Sequence, residues 1–145
     1  MSRVTIGGFE KVSLPELKLN DVIAKVDTGA YSGAIHCTDI KIIRRGINRK
    51  RYLSFKPAGI ESLVTQTDQF RRRIVRSATG HKVKRYLICT TLEINGKTYP
   101  IEIGLSDRTD MKKQVLIGRR FLREQNILVD VSRNVQHDDE GEQLR

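Results

Sequence analysis

Val22-Ile23-Ala24-Lys25-Val26-Asp27-Thr28-Gly29-Ala30 is the stretch whose reading decides the fold. Val22 to Val26 is a short apolar β-type run, and it ends at an aspartate. A strand running straight into Asp-Thr-Gly puts the carboxylate on a tight, fixed turn. Gly29 lets backbone come close to a substrate or a neighbouring loop. The Thr28 hydroxyl can hydrogen-bond locally and hold the turn. Alone, the triplet is compatible with an ordinary turn, so its meaning depends on the rest of the chain.

The second stretch that matters lies late. Val115-Leu116-Ile117-Gly118-Arg119 is an apolar run ending in glycine, and it leads into Phe121 and Leu122. Gln114 to Ile117 reads as a buried strand. Gly118 to Gln125 has good helix formers and is the one convincing helix. Between the two stretches the pattern is short β-type runs broken by Gly, Asn, Asp and Pro. Val4 to Leu14 reads as a strand or hairpin broken at Gly7-Gly8. Ala34 to Ile43 alternates in part, with Ile35, Cys37, Ile40 and Ile42 inward. Arg51 to Lys56 sets Leu53 and Phe55 opposite Tyr52, Ser54 and Lys56, and Pro57 stops it. Ala58 to Asp68 reads as a long loop.

Phe70 to Ser77 and Lys82 to Ile94 are two strands across a turn at Ala78-Thr79-Gly80-His81. Ile94-Asn95-Gly96-Lys97 is the clearest hairpin signal, because Asn-Gly suits the positive φ angles of a type I′ turn. Its partner strand is Thr98 to Leu105. Ile127 to Val131 closes the set. The pattern predicts an all-β barrel or sandwich with one short helix near its end.

Length and composition fit this. The chain has 145 residues, enough for one domain and one core. We divide it into a domain over 1–132 and an acidic tail over 133–145, HDDEGEQLR at its end, that frays. No apolar run approaches membrane-spanning length, and the first residues lack a signal peptide's apolar stretch. A cytoplasmic protein that does not engage a membrane is expected. Cys37 and Cys89 then read as buried free thiols rather than a disulfide.

The net charge of +10 is large for this size. Arg44, Arg45, Arg49, Lys50 and Arg51 form one basic group. Arg71 to Arg73, Arg76, Lys82, Lys84 and Arg85 form another. Solvated strand faces explain such groups as well as an acidic partner does. A basic barrel that binds RNA is the weakest reading, because the aromatics are scattered and no aromatic-basic RNA signature is visible.

The two stretches, in this order and at this spacing, resemble the retropepsin-like aspartic proteases. That family carries apolar-apolar-Asp-Thr-Gly-Ala early and apolar-apolar-Gly-Arg before a short helix late. KVSLPELKL, AKVDTGAYSGAIHC, VRSATGHKVKRYLI, IEIGLSDRTDM and VLIGRRFL narrow it. Together they are similar to a bacterial branch labelled ATP-dependent zinc proteases and associated with RimK-type ATP-grasp ligases. The resemblance runs from about Phe9 to Val131. It implies an all-β, retropepsin-like closed barrel with one short C-terminal helix.

For function, the resemblance implies an aspartic endopeptidase with Asp27, Thr28 and Gly29 as its catalytic turn. Ala30, Gly80 and His81 would line the substrate, and Gly118 and Arg119 would support the turn. The aspartic mechanism needs two carboxylates sharing one proton, one state activating water and the other protonating the scissile carbonyl. Asp107 and Asp130 sit near strand ends, but neither is followed by Thr/Ser-Gly. A single Asp-Thr-Gly therefore implies a homodimer in which each chain supplies Asp27. The turn at residues 78–81 would be a flap. Its cations, Lys82 and Lys84 among them, would favour an acidic or glutamylated peptide. The alternative is a non-catalytic, peptide-binding or regulatory partner of a RimK-type ligase.

This chain departs from the viral pattern in one place. Tyr31 and Ser32 stand where an acid usually pairs with the arginine of Gly-Arg, so Arg119 needs another partner, such as Asp39 or Asp107. The zinc label finds no His-Glu-x-x-His and no Cys-x-x-Cys. His36 and Cys37 are adjacent on a strand and face opposite ways. A site from His36, His81 and an acid is geometrically possible, and a packed or hydrogen-bonded His36 near the Asp27 loop is preferred to it. No phosphate-binding glycine loop is present. No cofactor and no metal are expected.

Overall fold

The computed structural model describes residues 3–76, 79–109 and 111–138. Eleven strands, in chain order, are β1 (Thr5–Gly7), β2 (Phe9–Leu14), β3 (Leu19–Val26), β4 (Ala34–Arg45), β5 (Lys50–Pro57), β6 (Thr65–Thr67), β7 (Phe70–Arg76), β8 (Lys82–Ile94), β9 (Lys97–Ser106), β10 (Val115–Ile117) and β11 (Leu128–Asp130). One α-helix, α1 (Arg119–Glu124), lies between the last two. No described helix is long and apolar enough to cross a membrane.

Six strands close the barrel in the order β10-β3-β2-β8-β9-β4, and β4 returns to β10. This is the closed, retropepsin-like barrel that the resemblance implies. Ile35, Leu92, Ile103, Val115 and Ile117 of these strands are in its core, which Leu53 and Phe55 of β5 join, none with exposed surface. Thr98 to Leu105 pairs as expected, and the Asn95-Gly96 turn has φ of 51° and 78°, as a type I′ hairpin requires.

The path of β3 and β4 positions the site. These consecutive strands are not neighbours. β10 lies between them, parallel to β3 and antiparallel to β4. The connection 27–33 must therefore cross two strand spacings, about 10 Å. It does so over the end of β10, where residues 117–119 leave the sheet. Three apolar residues of β10, with Val115 and Ile117 buried, thus hold both ends of the Asp27 loop.

Three readings differ from the sequence analysis, and one expected feature, the inward set of β4, gains its cause. Val4 to Leu14 is not one unit: β1 pairs in parallel with β11, while β2 joins the barrel. Ala58 to Asp68 is not all loop: a 3-10 turn over 61–63 is followed by β6, which adds an edge strand to β5. In β4 the inward positions change parity from Ile35 and Cys37 to Ile40 and Ile42. A bulge between Thr38 and Lys41, with Asp39 at φ 53°, makes that change. Both cysteines are free, but only Cys37 is buried, and burial pushes its thiol up to about 12. Cys89 points outward from β8 and is exposed.

Residues 133–138 continue past β11. Asn134 donates through Nδ2 to the Phe9 carbonyl at 2.7 Å and to Glu10 Oε2 at 3.1 Å. Glu10, buried, also accepts from the Gly7 N–H at 2.7 Å. The acidic end of the tail, 139–145, lies outside the described residues.

Candidate active site

Asp27 follows β3 directly, and its N–H donates to the Ile117 carbonyl at 2.8 Å. Its Oδ1 accepts the Gly29 N–H at 3.0 Å, and its carbonyl accepts the Ala30 N–H at 3.1 Å. The carboxylate is thus oriented by its own turn while remaining partly open. This is what a reacting carboxylate needs: a fixed position with lone pairs still available.

The start of α1 completes the loop. A helix leaves its first N–H groups without intrahelical partners. Here Arg119 N donates to the Ala30 carbonyl at 2.8 Å and Arg120 N to the Tyr31 carbonyl at 3.0 Å. The Arg119 guanidinium adds bonds to the Gly29 carbonyl at 3.0 Å and the Thr28 carbonyl at 3.4 Å. Every carbonyl from 27 to 31 therefore accepts a hydrogen bond. Gly118 is required by closeness. A Cβ there would lie 2.4 Å from the Tyr31 carbonyl oxygen and 2.5 Å from Gly33 N.

Arg119 was expected to pair with an acid such as Asp39 or Asp107, and it does not. Its partners are the loop carbonyls and the ring of Tyr31, 5.4 Å from its guanidinium carbon. Tyr31 thus occupies the acid's place in the loop with a π face instead of a charge. Arg73 of β7 sits over the same ring at 5.9 Å, so one aromatic joins the loop to the facing hairpin.

A cleft of about 580 Å³ opens beside the turn. Asp27, Gly29, Ala30, Ser32 and Leu116 form one wall, and Arg73, Arg85 and Arg108 stand on the others. Arg73 and Arg85 are directly opposed across β7 and β8. Neither is paired with a carboxylate among the described residues. Like charges in that position destabilise a ladder, so the pair is not explained by folding. Lys82 does not line the cleft, and Lys84 lines a neighbouring depression with Arg85 and Arg108. Of the hairpin cations that the sequence offers, Arg76, Lys82, Lys84 and Arg85, only Arg85 lines the cleft, and Arg73 and Arg108 join it there. Arg108 carried no signal of its own. Writing out the hairpin register is enough to place Arg73 opposite Arg85.

Of the other candidates, Gly80 and His81 are exposed at the far turn of the hairpin and do not line the cleft within one chain. Ala78 of that turn lies outside the described residues. His36 is buried, and its Nδ1 accepts the Arg108 N–H at 3.1 Å, which fixes the strand end that carries Arg108. His36, His81 and a carboxylate do not converge: among the described residues no three His, Cys, Asp or Glu side chains are placed to hold a metal ion.

Comparison with known proteins agrees with this geometry. The profile of the RimB-like family, described as "Retropepsin-like aspartic endopeptidase RimB", matches residues 5–140. The chain belongs to the RimB-like family. Curated relatives of this RimB-like chain carry a different name. A "Probable alpha-L-glutamate ligase" of Desulfotalea psychrophila is 30% identical over 88% of this chain and 28% of its own length. One of the same name from Shewanella halifaxensis is 29% identical over 99% of this chain and 32% of its own. The chain thus spans about a third or less of the curated relatives it matches. A crystal structure of a Legionella pneumophila protein of unknown function covers 90% of the chain and 95% of its own, with a TM-score of 0.65 and 24% identity. That likeness concerns the fold alone.

Proposed function

We propose that this RimB-like chain is an aspartic endopeptidase that works as a homodimer and cleaves acidic, including glutamylated, peptides. Asp27 from each chain would form the dyad, with Thr28 and Gly29 holding it. Ala30 and the hairpin turn at Gly80 and His81 would close on the peptide backbone. The observation that carries this reading is the cleft itself. A fixed carboxylate on one wall faces Arg73, Arg85 and Arg108 on the others. Arginines recognise carboxylates by paired, charge-assisted hydrogen bonds, so a peptide bearing acidic side chains suits this wall, where Arg73 and Arg85 pair with no carboxylate among the described residues.

The test is a peptidase assay on an oligoglutamate peptide and a neutral peptide of equal length, at acid and neutral pH, with sedimentation of the same samples. Asp27→Asn should reduce cleavage by about 10²-fold or more, the range of a lost acid–base group. Cleavage that survives the substitution rejects the aspartic mechanism. So does full activity from a monomer.

A second reading is favoured by one observation. The relatives are named as glutamate ligases, and the part matching this chain is a minority of their length. A domain of this kind carried within a ligase can act as its peptide-binding or regulatory partner without turnover. In that case a RimK-type ligase would change rate on adding this protein, and Asp27→Asn would leave that change intact.

A further inference from the structure

We propose that the β4–β5 arm is a second binding site, for the phosphate backbone of a nucleic-acid duplex. The two strands run together from Cys37 and Pro57 out to Arg45 and Lys50, and a four-residue turn over 46–49 joins them. None of the residues beyond the bulge lines the Asp27 cleft, so the arm is distinct from the site proposed above.

The register carries the inference. Arg44 stands directly opposite Arg51, and Arg45 directly opposite Lys50. Neighbouring pairs on a ribbon point to opposite faces, so each face bears two like charges side by side. One face is partly compensated. Lys50 pairs with Asp68 at 2.7 Å, Arg45 donates to Gln66 at 2.7 Å, and both cations lie over the Tyr52 ring. The other face is not. Arg44 has only the Arg49 carbonyl at 3.5 Å, and Arg44, Arg49 and Arg51 pair with no carboxylate among the described residues. The turn between them presents Ile47 fully to solvent. Opposed like charges weaken a ribbon, and here they occur in two successive pairs where opposite charges would hold the arm better.

What relieves such an arrangement is a ligand with anions on more than one side of the ribbon. An acidic peptide lies along one face of a strand pair and meets only half of these cations. The groove of a duplex has phosphate walls on both sides, and a two-stranded ribbon fits the wider grooves. Phosphate contacts need no aromatic-basic signature, so all that the sequence shows of them is the basic group over 44–51.

The experiment is fluorescence anisotropy of the full chain with a labelled 20-base-pair DNA duplex, an RNA duplex of the same length, and a labelled oligoglutamate. Each is run over a salt series. The wild type should bind at least one duplex. If Arg44 and Arg51 on one face, Arg45 on the other and Arg49 in the turn each meet one phosphate, the logarithm of affinity should fall against that of salt with a slope of about −3.6. Arg51→Glu makes an opposite-charge pair with Arg44, so it should keep or raise Tm while weakening duplex binding about tenfold and flattening the slope. Arg51→Gln should fall between them. Lys97→Glu, an equal charge change on an exposed residue elsewhere, should cost less than threefold. The duplex that binds more tightly identifies the source of the phosphate. Equal losses from Arg51→Glu and Lys97→Glu, or no binding to either duplex, would overturn the proposal. Arg51→Glu weakening oligoglutamate but not duplex would also overturn it.

Discussion

The Asp27 loop and the hairpin facing it across the cleft treat their polar groups in opposite ways. In the loop, five successive carbonyls accept hydrogen bonds, and the Gly118 and Gly33 backbones are in close contact. In the hairpin, Arg73 faces Arg85 with no carboxylate between them. The loop's main chain is satisfied within the fold, with the Asp27 carboxylate partly open, and the hairpin's arginine pair has no carboxylate partner among the described residues. A carboxylate that must hold its position belongs on the first kind of structure. Cations that must exchange water for a ligand belong on the second. The difference also predicts where substitutions act on stability and where on binding.

The largest effect is expected at the closed side. Gly118 has φ of −90°, which any residue adopts, so Gly118→Ala costs only space. The new methyl would meet backbone, the Tyr31 carbonyl and Gly33 N, which cannot swing aside as a side chain would. We expect a loss of about 3 kcal/mol or more, at the top of the overpacking range, read from the urea midpoint. Gly96→Ala is the comparison. It has open space but φ of 78°, so backbone strain alone should cost it about 1 kcal/mol. Equal costs at the two glycines would show that the loop is not held by close contact.

The two regions were unequally legible in the sequence. Elements set by local chemistry could be read: the strand into Asp27, the Asn95-Gly96 turn, and Gly118 before a short helix. Elements set by partners could not. Thr65-Gln66-Thr67 has no apolar alternation and is a strand only because β5 offers an edge. Arg119 was assigned an acid because acids are visible as residue types. Its actual acceptors are main-chain carbonyls, which every residue has and which leave no mark in a sequence. Even the parity change between Cys37 and Ile40 was visible, yet its cause, a bulge at Asp39, emerges only from pairing with β5. At the cleft, the basic run around Arg73 was plain, but which cations face Asp27 depends on hairpin register.

A smaller effect is expected at Glu102, where the two regions are tied together. Arg71 of β7 binds it through two bonds of 2.7 and 2.8 Å, and Arg120 of α1 adds one of 2.6 Å. The Arg71 hydrogen bonds, reinforced by Arg120, hold the Glu102 carboxyl below its ordinary value of 4.5 against the opposing effect of burial. A carboxyl lowered in the folded state stabilises the fold above its unfolded value, and that contribution is lost as pH falls through the folded value. Glu102→Gln should therefore cost about 1 kcal/mol at neutral pH. The difference from wild type should shrink in urea titrations taken below pH 4.5. A difference that stays constant with pH would mean the carboxylate's charge contributes nothing.

The smallest stability effect is the most informative, because it should have the opposite sign. Arg85→Glu places a carboxylate directly across from Arg73, replacing repulsion with attraction. A cross-strand pair of this kind contributes roughly 0.2–1 kcal/mol, so the urea midpoint should rise slightly. Binding should move the other way, since the cleft exchanges one of its three arginines for an acid. Oligoglutamate cleavage should fall far more than cleavage of the neutral peptide, by an increase in KM rather than a decrease in kcat, because the Asp27 loop is untouched. Salt should narrow the gap between the two peptides in the wild type for the same reason. If Arg85→Glu lowers stability, Arg73 and Arg85 are not in conflict in the folded protein, and the contrast between a satisfied loop and an unsatisfied hairpin fails. If stability rises and both peptides are cleaved as before, the hairpin's charges are a tolerated cost of folding rather than a recognition surface.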